Sequence, residues 1–214
     1  MYQENADLAA ENTLIAGLEK ENAELRRLLD MNPINYANPC HAEIIIRDPV
    51  SWNEIFTVDR GTYDGVSVGD LVLGMLPPDQ SGTFASAVAG RVIAVSENTA
   101  TVATVLSSEC ILSVILTESA SHGIIQGEDT PGDKTVPLKY LSPDAKYGLG
   151  EIVTTSGYSD LTPAGIYIGT LAGTKDGNAA QLDDSRLYAE SRLHPALDLE
   201  NIRFVTILTK KKGF

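Results

Sequence analysis

Residues 63–74, YDGVSVGDLVLG, and residues 146–157, KYGLGEIVTTSG, share a pattern that decides how the rest of the chain is interpreted. Gly69-Asp70-x-Val72 in the first stretch aligns with Gly150-Glu151-x-Val153 in the second. A Gly next to a carboxylate favours a chain reversal, because Gly adopts conformations closed to other residues and the carboxylate stabilises the turn. A β-branched residue follows at once, so each stretch predicts a turn that leads into a strand.

A second pair of similar stretches is separated along the chain by nearly the same number of residues as the first pair. AVAGRVIAV at residues 87–95 matches GIYIGTLAG at 165–173, with Gly90 aligned to Gly169. A Gly inside a strand commonly marks a bulge or a barrel corner. Two elements that recur at nearly one offset predict two related small β units in tandem.

Short runs rich in Val, Ile and Thr fill the chain from residue 42 onward, with Gly, Asn, Asp and Pro between them. Such texture is typical of small all-β domains. We predict a first β unit over residues 42–118 and a second over 119–214. The stretch LDDSRLYAESRLHPALDLENI mixes helix-like and strand-like patterns, and its conformation is left open.

The N-terminal segment has a different character and predicts a coiled-coil helix over residues 1–31, followed by a linker over 32–41. Residues 1–30 contain no Pro, and MNPINYANPC then ends any helix. A heptad pattern predicts a parallel dimer, with an Asn at one a position to fix the register and a g-to-e ion pair between chains. The predicted dimerisation residues are Leu8, Ile15, Leu18, Glu21, Asn22, Leu25, Arg26 and Leu29.

An ordinary amphipathic helix packed on its own domain is the alternative for this segment. Leu14 and Leu28 beside the seam suit that alternative, and Glu11 interrupts the d positions. The coiled coil is favoured because EKENAELRRLL is highly charged outside its seam.

Composition excludes several classes of function. The chain has 214 residues, 43% of them hydrophobic, with a formal net charge of −13. This charge repels polyanions, so nucleic acid is not expected as a partner. No stretch is long and apolar enough to span a membrane. Cys40 and Cys110 fit neither a disulfide-rich scaffold nor a paired zinc motif, and whether they pair is left open.

Ser156 in T-T-S-G-Y invites interpretation as a nucleophile, but its sequence context favours a turn. Nucleophilic serine needs a nearby base, and only His41, His122 and His194 are available. The G-x-S-x-G elbow is missing, and the histidines lack the local spacing of metal ligands. We predict no catalytic residue, no metal site and no cofactor.

Taken in order, these elements resemble the rod shape-determining protein MreC family. The likeness covers the coiled coil, DPVSWNEIFTVDRGTYDGVSVGDLVLG (48–74), AGRVIAV (89–95), GLGEIVTTSGYSDLTPAGIYIGTL (148–171) and SRLHPALDLENIRFVTIL (191–208). Glu151 stands where the pattern leads us to expect Asp. The residues that carry the resemblance are Trp52, Gly61, Gly65, Gly69, Gly90, Arg91, Thr155, Ser156, Gly157, Pro163, Gly165, Gly169 and Pro195.

The resemblance implies a mainly β fold, in which the N-terminal coiled coil precedes two tandem small β-barrel domains. It further implies a non-enzymatic scaffold of the cell-elongation complex, extracytoplasmic and held to the cell membrane by one transmembrane helix. That helix is missing from the sequence, which we interpret as truncation. The implied partners are a second copy, in some cases filaments, the elongation transpeptidase (a class B penicillin-binding protein) and other rod-complex membrane proteins.

Two other functions compete with this interpretation. An export-pump adaptor also combines helical coils with β-barrels, but usually folds a helical hairpin between two halves of a barrel. A protease-like β-barrel using Ser156 and His122 is the second alternative.

Overall fold

The computed structural model describes residues 36–77, 85–128, 134–158, 162–174, 177–182 and 187–210. Within those ranges the regular structure consists of strands and one 3₁₀ turn at Thr62–Asp64. The strands are β1 Tyr36–Arg47, β2 Ile55–Val58, β3 Leu71–Met75, β4 Ser86–Val95, β5 Ala100–Thr104, β6 Ile111–Leu116, β7 His122–Gln126, β8 Val136–Leu141, β9 Ile152–Thr155, β10 Tyr167–Leu171, β11 Gln181–Leu182, β12 Ala189–Pro195 and β13 Phe204–Lys210.

Six strands form a closed antiparallel barrel in the order β1-β13-β3-β4-β5-β2. Alternating side chains point inward, as in β2, where Phe56 and Val58 are buried while Ile55 and Thr57 are half-buried. Strand β1 closes the barrel because residues 36–43 pair with β13 and residues 44–47 pair with β2.

A second ring is built from β10-β9-β6-β7-β8-β12, because β10 also pairs with β12. The two-residue strand β11 extends this sheet beside the start of β12. Buried residues of the two barrels belong to one continuous apolar cluster. The predicted mainly β fold with two small barrels is confirmed.

The strand pairing divides the chain differently from the predicted ranges 42–118 and 119–214. Strand β6, Ile111–Leu116, belongs to the second barrel, and β13, Phe204–Lys210, closes the first. In the first barrel, β13 lies between β1 and β3, and the chain forms β13 only after it has completed the second barrel. The second barrel is therefore inserted into the first. Residues 36–41 of the predicted linker lie in β1, and the predicted helix over 1–31 lies outside the described residues.

The sequence repeat corresponds to equivalent turns in the two barrels. Gly69 N–H donates to the Val92 carbonyl at 2.8 Å, and Gly150 N–H donates to the Leu171 carbonyl at the same distance. Both glycines have positive φ, 93° and 81°. The turn that leads into β3 therefore reappears before β9, which confirms two related β units.

Gly90 in β4 and Gly169 in β10 are equivalent in the same sense. A Cβ at Gly90 would overlap the Ala103 carbonyl of the neighbouring strand, and a Cβ at Gly169 would overlap the His194 carbonyl. The pairing register shifts beside each glycine. Each marks a site where two strands of a barrel approach too closely for a side chain.

Candidate functional site: the interbarrel joint and an exposed tyrosine patch

The chain crosses between the barrels twice, and both crossings are held by backbone hydrogen bonds. In the first crossing, residues 105–110, Val105 N–H donates to the Ala89 carbonyl of β4 at 3.0 Å. In the second crossing, residues 196–203, Ala196 N–H donates to the Ile168 carbonyl of β10 at 2.9 Å. We call these segments, with the side chains that contact them, the interbarrel joint.

Arg47 at the end of β1 fixes the second crossing to the first barrel. Its Nη1 donates to the Leu199 carbonyl at 2.9 Å and its Nη2 to the Ile202 carbonyl at 2.8 Å. The guanidinium also lies 5.5 Å from the ring centroid of Trp52 and 5.4 Å from that of Phe56, within the range of a cation–π interaction. Partial burial lowers the pKa of Arg47, yet an arginine remains charged at neutral pH.

Trp52 and its neighbour continue this contact toward the second barrel. Trp52 Nε1 donates to the Glu200 carbonyl at 3.3 Å, and Asn53 Nδ2 donates to the Glu200 carboxylate at 3.2 Å. The same carboxylate pairs with Lys134 Nζ at 3.0 Å, which lowers the pKa of Glu200. Trp52, identified from the family pattern, therefore belongs to the joint.

We expect Arg47→Ala to lower the free energy of unfolding by about 2–3 kcal/mol, because charged hydrogen bonds to two carbonyls are lost together. Arg47→Lys should recover less than half of this loss, because an ammonium lacks the planar fork that reaches two acceptors. Urea titration followed by circular dichroism measures both. Arg203→Ala serves as the control: its side chain is 72% exposed and its pair with Glu43 should be worth less than about 1 kcal/mol. Equal losses for the two alanine variants would contradict the role of Arg47.

The loop between β9 and β10 closes on Thr155. The Thr155 hydroxyl donates to the Pro163 carbonyl at 2.5 Å and accepts from Ile166 N–H at 2.9 Å. Gly165 N–H donates to the Thr155 carbonyl at 2.8 Å. Gly157 and Gly165 have φ of 74° and 81°, so these two positions require glycine. The residues T-S-G and P-x-G thus hold the two ends of this loop together.

Ser156 takes part in this loop as a turn residue. Its N–H donates to the Ser113 carbonyl at 3.0 Å, and its Oγ lies 3.5 Å from the Tyr158 N–H that donates to it. His122, the proposed base of the protease-like alternative, has its Nε2 3.4 Å from the Tyr158 hydroxyl and its ring 4.8 Å from that of Tyr158. These contacts favour the structural interpretation of Ser156.

Buried carboxylates stand at the repeated turn in both barrels. Asp70, 2% exposed, accepts from Ser67 N–H at 2.8 Å. Glu151, 3% exposed, accepts from the N–H groups of Glu118 and Ser119 at 3.0 and 2.6 Å. The longer Glu reaches from its own turn to the one after β6, which explains how it serves where Asp was expected.

The remaining residues of the family pattern lie at close approaches or turns. A Cβ at Gly61 would overlap the carbonyls of Ser96 and Glu97, and Gly65 has φ of 85°. Pro195 ends β12 opposite Gly169. Dimerisation through the coiled coil stays a prediction, because the residues concerned lie outside the described ranges: Leu8, Ile15, Leu18, Glu21, Asn22, Leu25, Arg26 and Leu29.

Four large apolar side chains are exposed on the second barrel, two of them in contact with each other, and we call them the tyrosine patch. Tyr140, Leu182, Leu187 and Tyr188 are between 45% and 65% exposed. The rings of Tyr140 and Tyr188 meet edge to face, with centroids 5.4 Å apart, and Leu182 pairs with Ala189, the residue after Tyr188. Sequence reasoning missed this patch because it left the conformation of residues 182–202 open.

Tyr140, one residue of the tyrosine patch, has an unusual backbone conformation. Its φ is +62°, in the left-handed region that a bulky residue rarely occupies. Such a conformation typically costs of order 1–3 kcal/mol. The strand register also shifts opposite this point, between Ala189 and Ser191. The fold thus holds a strained residue that turns an aromatic ring toward solvent.

Both cysteines are free thiols. Cys110 is fully buried, and this burial raises the pKa of its thiol to about 12. Within the part of the chain that the structure describes, no three metal-binding side chains come together. Those same ranges contain no helix with the length and apolar character needed to cross a bilayer.

Known proteins match this chain over most of its length. The family described as "Rod shape-determining protein MreC, barrel core" matches residues 44–209. The cell shape-determining protein MreC of Listeria monocytogenes is 31% identical over 208 residues, covering 95% of this chain. The chain spans 65% of the length of that relative.

Solved structures show the same fold. MreC of Listeria monocytogenes has a TM-score of 0.73 at 29% identity, covering 95% of this chain and 91% of that one. A chain from a complex between penicillin-binding protein PBP2 and MreC from Helicobacter pylori has a TM-score of 0.53 at 14% identity, covering 80% of this chain and 99% of that one. The family match over the two barrels, with the repeated glycine turns that build them, places this chain in the rod shape-determining protein MreC family.

Proposed function

We propose that this chain is a non-enzymatic scaffold of the bacterial cell-elongation complex. In this proposal a parallel coiled coil over residues 1–31 holds two copies together outside the cell membrane, and the barrels dock proteins that synthesise the cell wall. Membership of the MreC family supports a role in cell shape. The solved complex of a related fold with a penicillin-binding protein supports a transpeptidase as one partner.

The tyrosine patch is the observation that carries the docking part of this proposal. Exposed apolar side chains that touch each other typically mark an interaction site, and Tyr is enriched among the residues that contribute most to binding. Tyr140 and Tyr188 touch in this way on the second barrel, and Leu182 and Leu187 are exposed on the same barrel. The occupant we assign to it is an apolar surface of the elongation transpeptidase.

Replacing Leu187 and Tyr188 by Ser in the full chain should weaken binding of the transpeptidase ectodomain at least about tenfold. Both side chains are exposed, so we expect the fold to persist. Calorimetric titration with the purified ectodomain measures the affinity. A matched pair on the first barrel, Tyr63→Ser with Val68→Ser, removes side chains that are 74% and 61% exposed and should leave the affinity unchanged. Unchanged binding by the patch variant, or an equal loss in the matched pair, would contradict this docking surface.

A further inference from the structure

One side chain reaches directly from the first barrel to a loop of the second. Arg91 lies in β4, and its Nη2 donates to the Thr162 Oγ1 at 2.6 Å. Thr162 is only 3% exposed and belongs to the loop that Thr155 closes between β9 and β10. The Gly90-Arg91-Val92 and T-S-G...P-x-G patterns, far apart in sequence, therefore meet between the barrels.

The surroundings of Arg91 show a contact that is buried but not fully satisfied. Its Nε is buried without a hydrogen-bond partner among the described residues. A buried polar atom of this kind costs free energy, which makes the contact weaker than a fully paired one. The two crossings at 105–110 and 196–203 connect the barrels covalently, so losing the Arg91 contact would let the barrels part at this face while they stay joined.

Cys110 ends the first crossing between the barrels, and its thiol can report on their packing. The thiol is fully buried just before β6, and the charge of Arg91 acts on it, partly offsetting the burial that raises its pKa. While the barrels are packed together, the thiol is therefore shielded and un-ionised at neutral pH. Separation of the barrels would expose it and return its pKa toward the ordinary value near 8.5.

We propose that the contact between Arg91 and Thr162 forms a latch that sets the orientation of the second barrel on the first, and that this latch opens while both barrels stay folded. Arg91 is a positioning residue in this device. Because the tyrosine patch lies on the second barrel, the state of the latch sets the direction in which that patch points relative to the first barrel. This inference stands whether or not the patch binds a transpeptidase.

The test measures the rate at which a maleimide labels Cys110 in the full chain carrying Cys40→Ser. Arg91→Ala should label about 10–100 times faster than this parent. Losing a charged hydrogen bond shifts the opening equilibrium by about this factor, and the labelling rate follows that equilibrium. Thr162→Val keeps the shape and removes only the hydroxyl, so it should change the rate in the same direction. Arg91→Lys should restore part of the protection.

A matched control separates the latch from general loosening. Arg192 donates from Nε to the Thr135 Oγ1 at 2.6 Å. This is also an arginine–threonine hydrogen bond, but both residues belong to the second barrel. Arg192→Ala should leave the Cys110 labelling rate within about twofold of the parent. Local opening also predicts a weak dependence of the rate on urea, whereas global unfolding depends on urea steeply.

Equal labelling of the parent and Arg91→Ala would overturn the latch, as would equal acceleration by Arg192→Ala. A urea dependence as steep as that of global unfolding would overturn it too, because the barrels would then not stay folded on opening. If Arg91→Ala does not fold, Thr162→Val decides the question: unchanged labelling in that variant contradicts the latch.

Discussion

Gly90→Ala should destabilise the first barrel by about 3 kcal/mol or more, which places it among the most damaging single changes in the chain. The new Cβ would overlap the Ala103 carbonyl, which is backbone of the neighbouring strand β5 and cannot rotate away. Relief requires β4 and β5 to separate, which breaks the hydrogen bonds that close the barrel. Gly169→Ala in the second barrel meets the His194 carbonyl in the same way and should cost a similar amount.

Urea denaturation followed by circular dichroism measures both losses. Gly148→Ala provides the control, because a Cβ there meets nothing within 4 Å. That variant should change the free energy of unfolding by less than about 0.5 kcal/mol. If Gly90→Ala and Gly148→Ala proved equally stable, the close approach of the strands would not be the reason for glycine at residue 90.

Leu18→Glu combined with Leu25→Glu should convert a dimer of the full chain into a folded monomer. Both residues occupy d positions of the predicted coiled coil, where a buried carboxylate lacks a partner and repels its symmetry mate. Light scattering coupled to size-exclusion chromatography measures the mass. The barrels do not contain these residues, so the circular dichroism of the β structure should stay unchanged.

A matched variant places the same charges outside the seam. Ala16→Glu with Ala23→Glu adds two carboxylates at b positions of the same heptads, which face solvent in a dimer. This variant should keep the mass of a dimer. An unchanged dimer after the substitutions at Leu18 and Leu25 would refute the role of the seam.

The repeated turns could be predicted from the sequence because their cause is local. Gly69 and Gly150 need positive φ, and the carboxylates that follow stabilise the chain reversal. The same requirement therefore selects similar residues at both turns. Gly90 and Gly169 are similarly informative, since only glycine permits the close approach of a neighbouring strand. Two β units follow from these residues alone.

The arrangement of those units depends on pairing between distant residues, which local patterns do not encode. Val205 in β13 pairs with Ala42 and Gly74, more than a hundred residues earlier, and this pairing inserts one barrel into the other. A run such as FVTILT predicts a strand but not its neighbours. The predicted boundary after residue 118 was therefore wrong for β6 and β13.

The candidate sites were hidden for the same reason. From the sequence alone, Arg91 would be interpreted as a surface charge and Thr162 as a turn residue. Only the packing of the two barrels brings these two side chains into contact. Tyr140 sits in an ordinary strand pattern, VPLKYL, and its positive φ coincides with a register shift against β12. Ser156 is the opposite case: its turn was predicted from neighbouring residues, and the loop contacts favour that interpretation.

The central claim is that a dimerising segment and docking barrels are separate parts of one scaffold. Light scattering coupled to size-exclusion chromatography on residues 1–214 and 36–214, each with and without the purified transpeptidase ectodomain, tests it most directly. The account predicts that the longer chain is a dimer, that the shorter chain is a monomer, and that both bind the transpeptidase. A shorter chain that remains dimeric, with no binding by either chain, would contradict it.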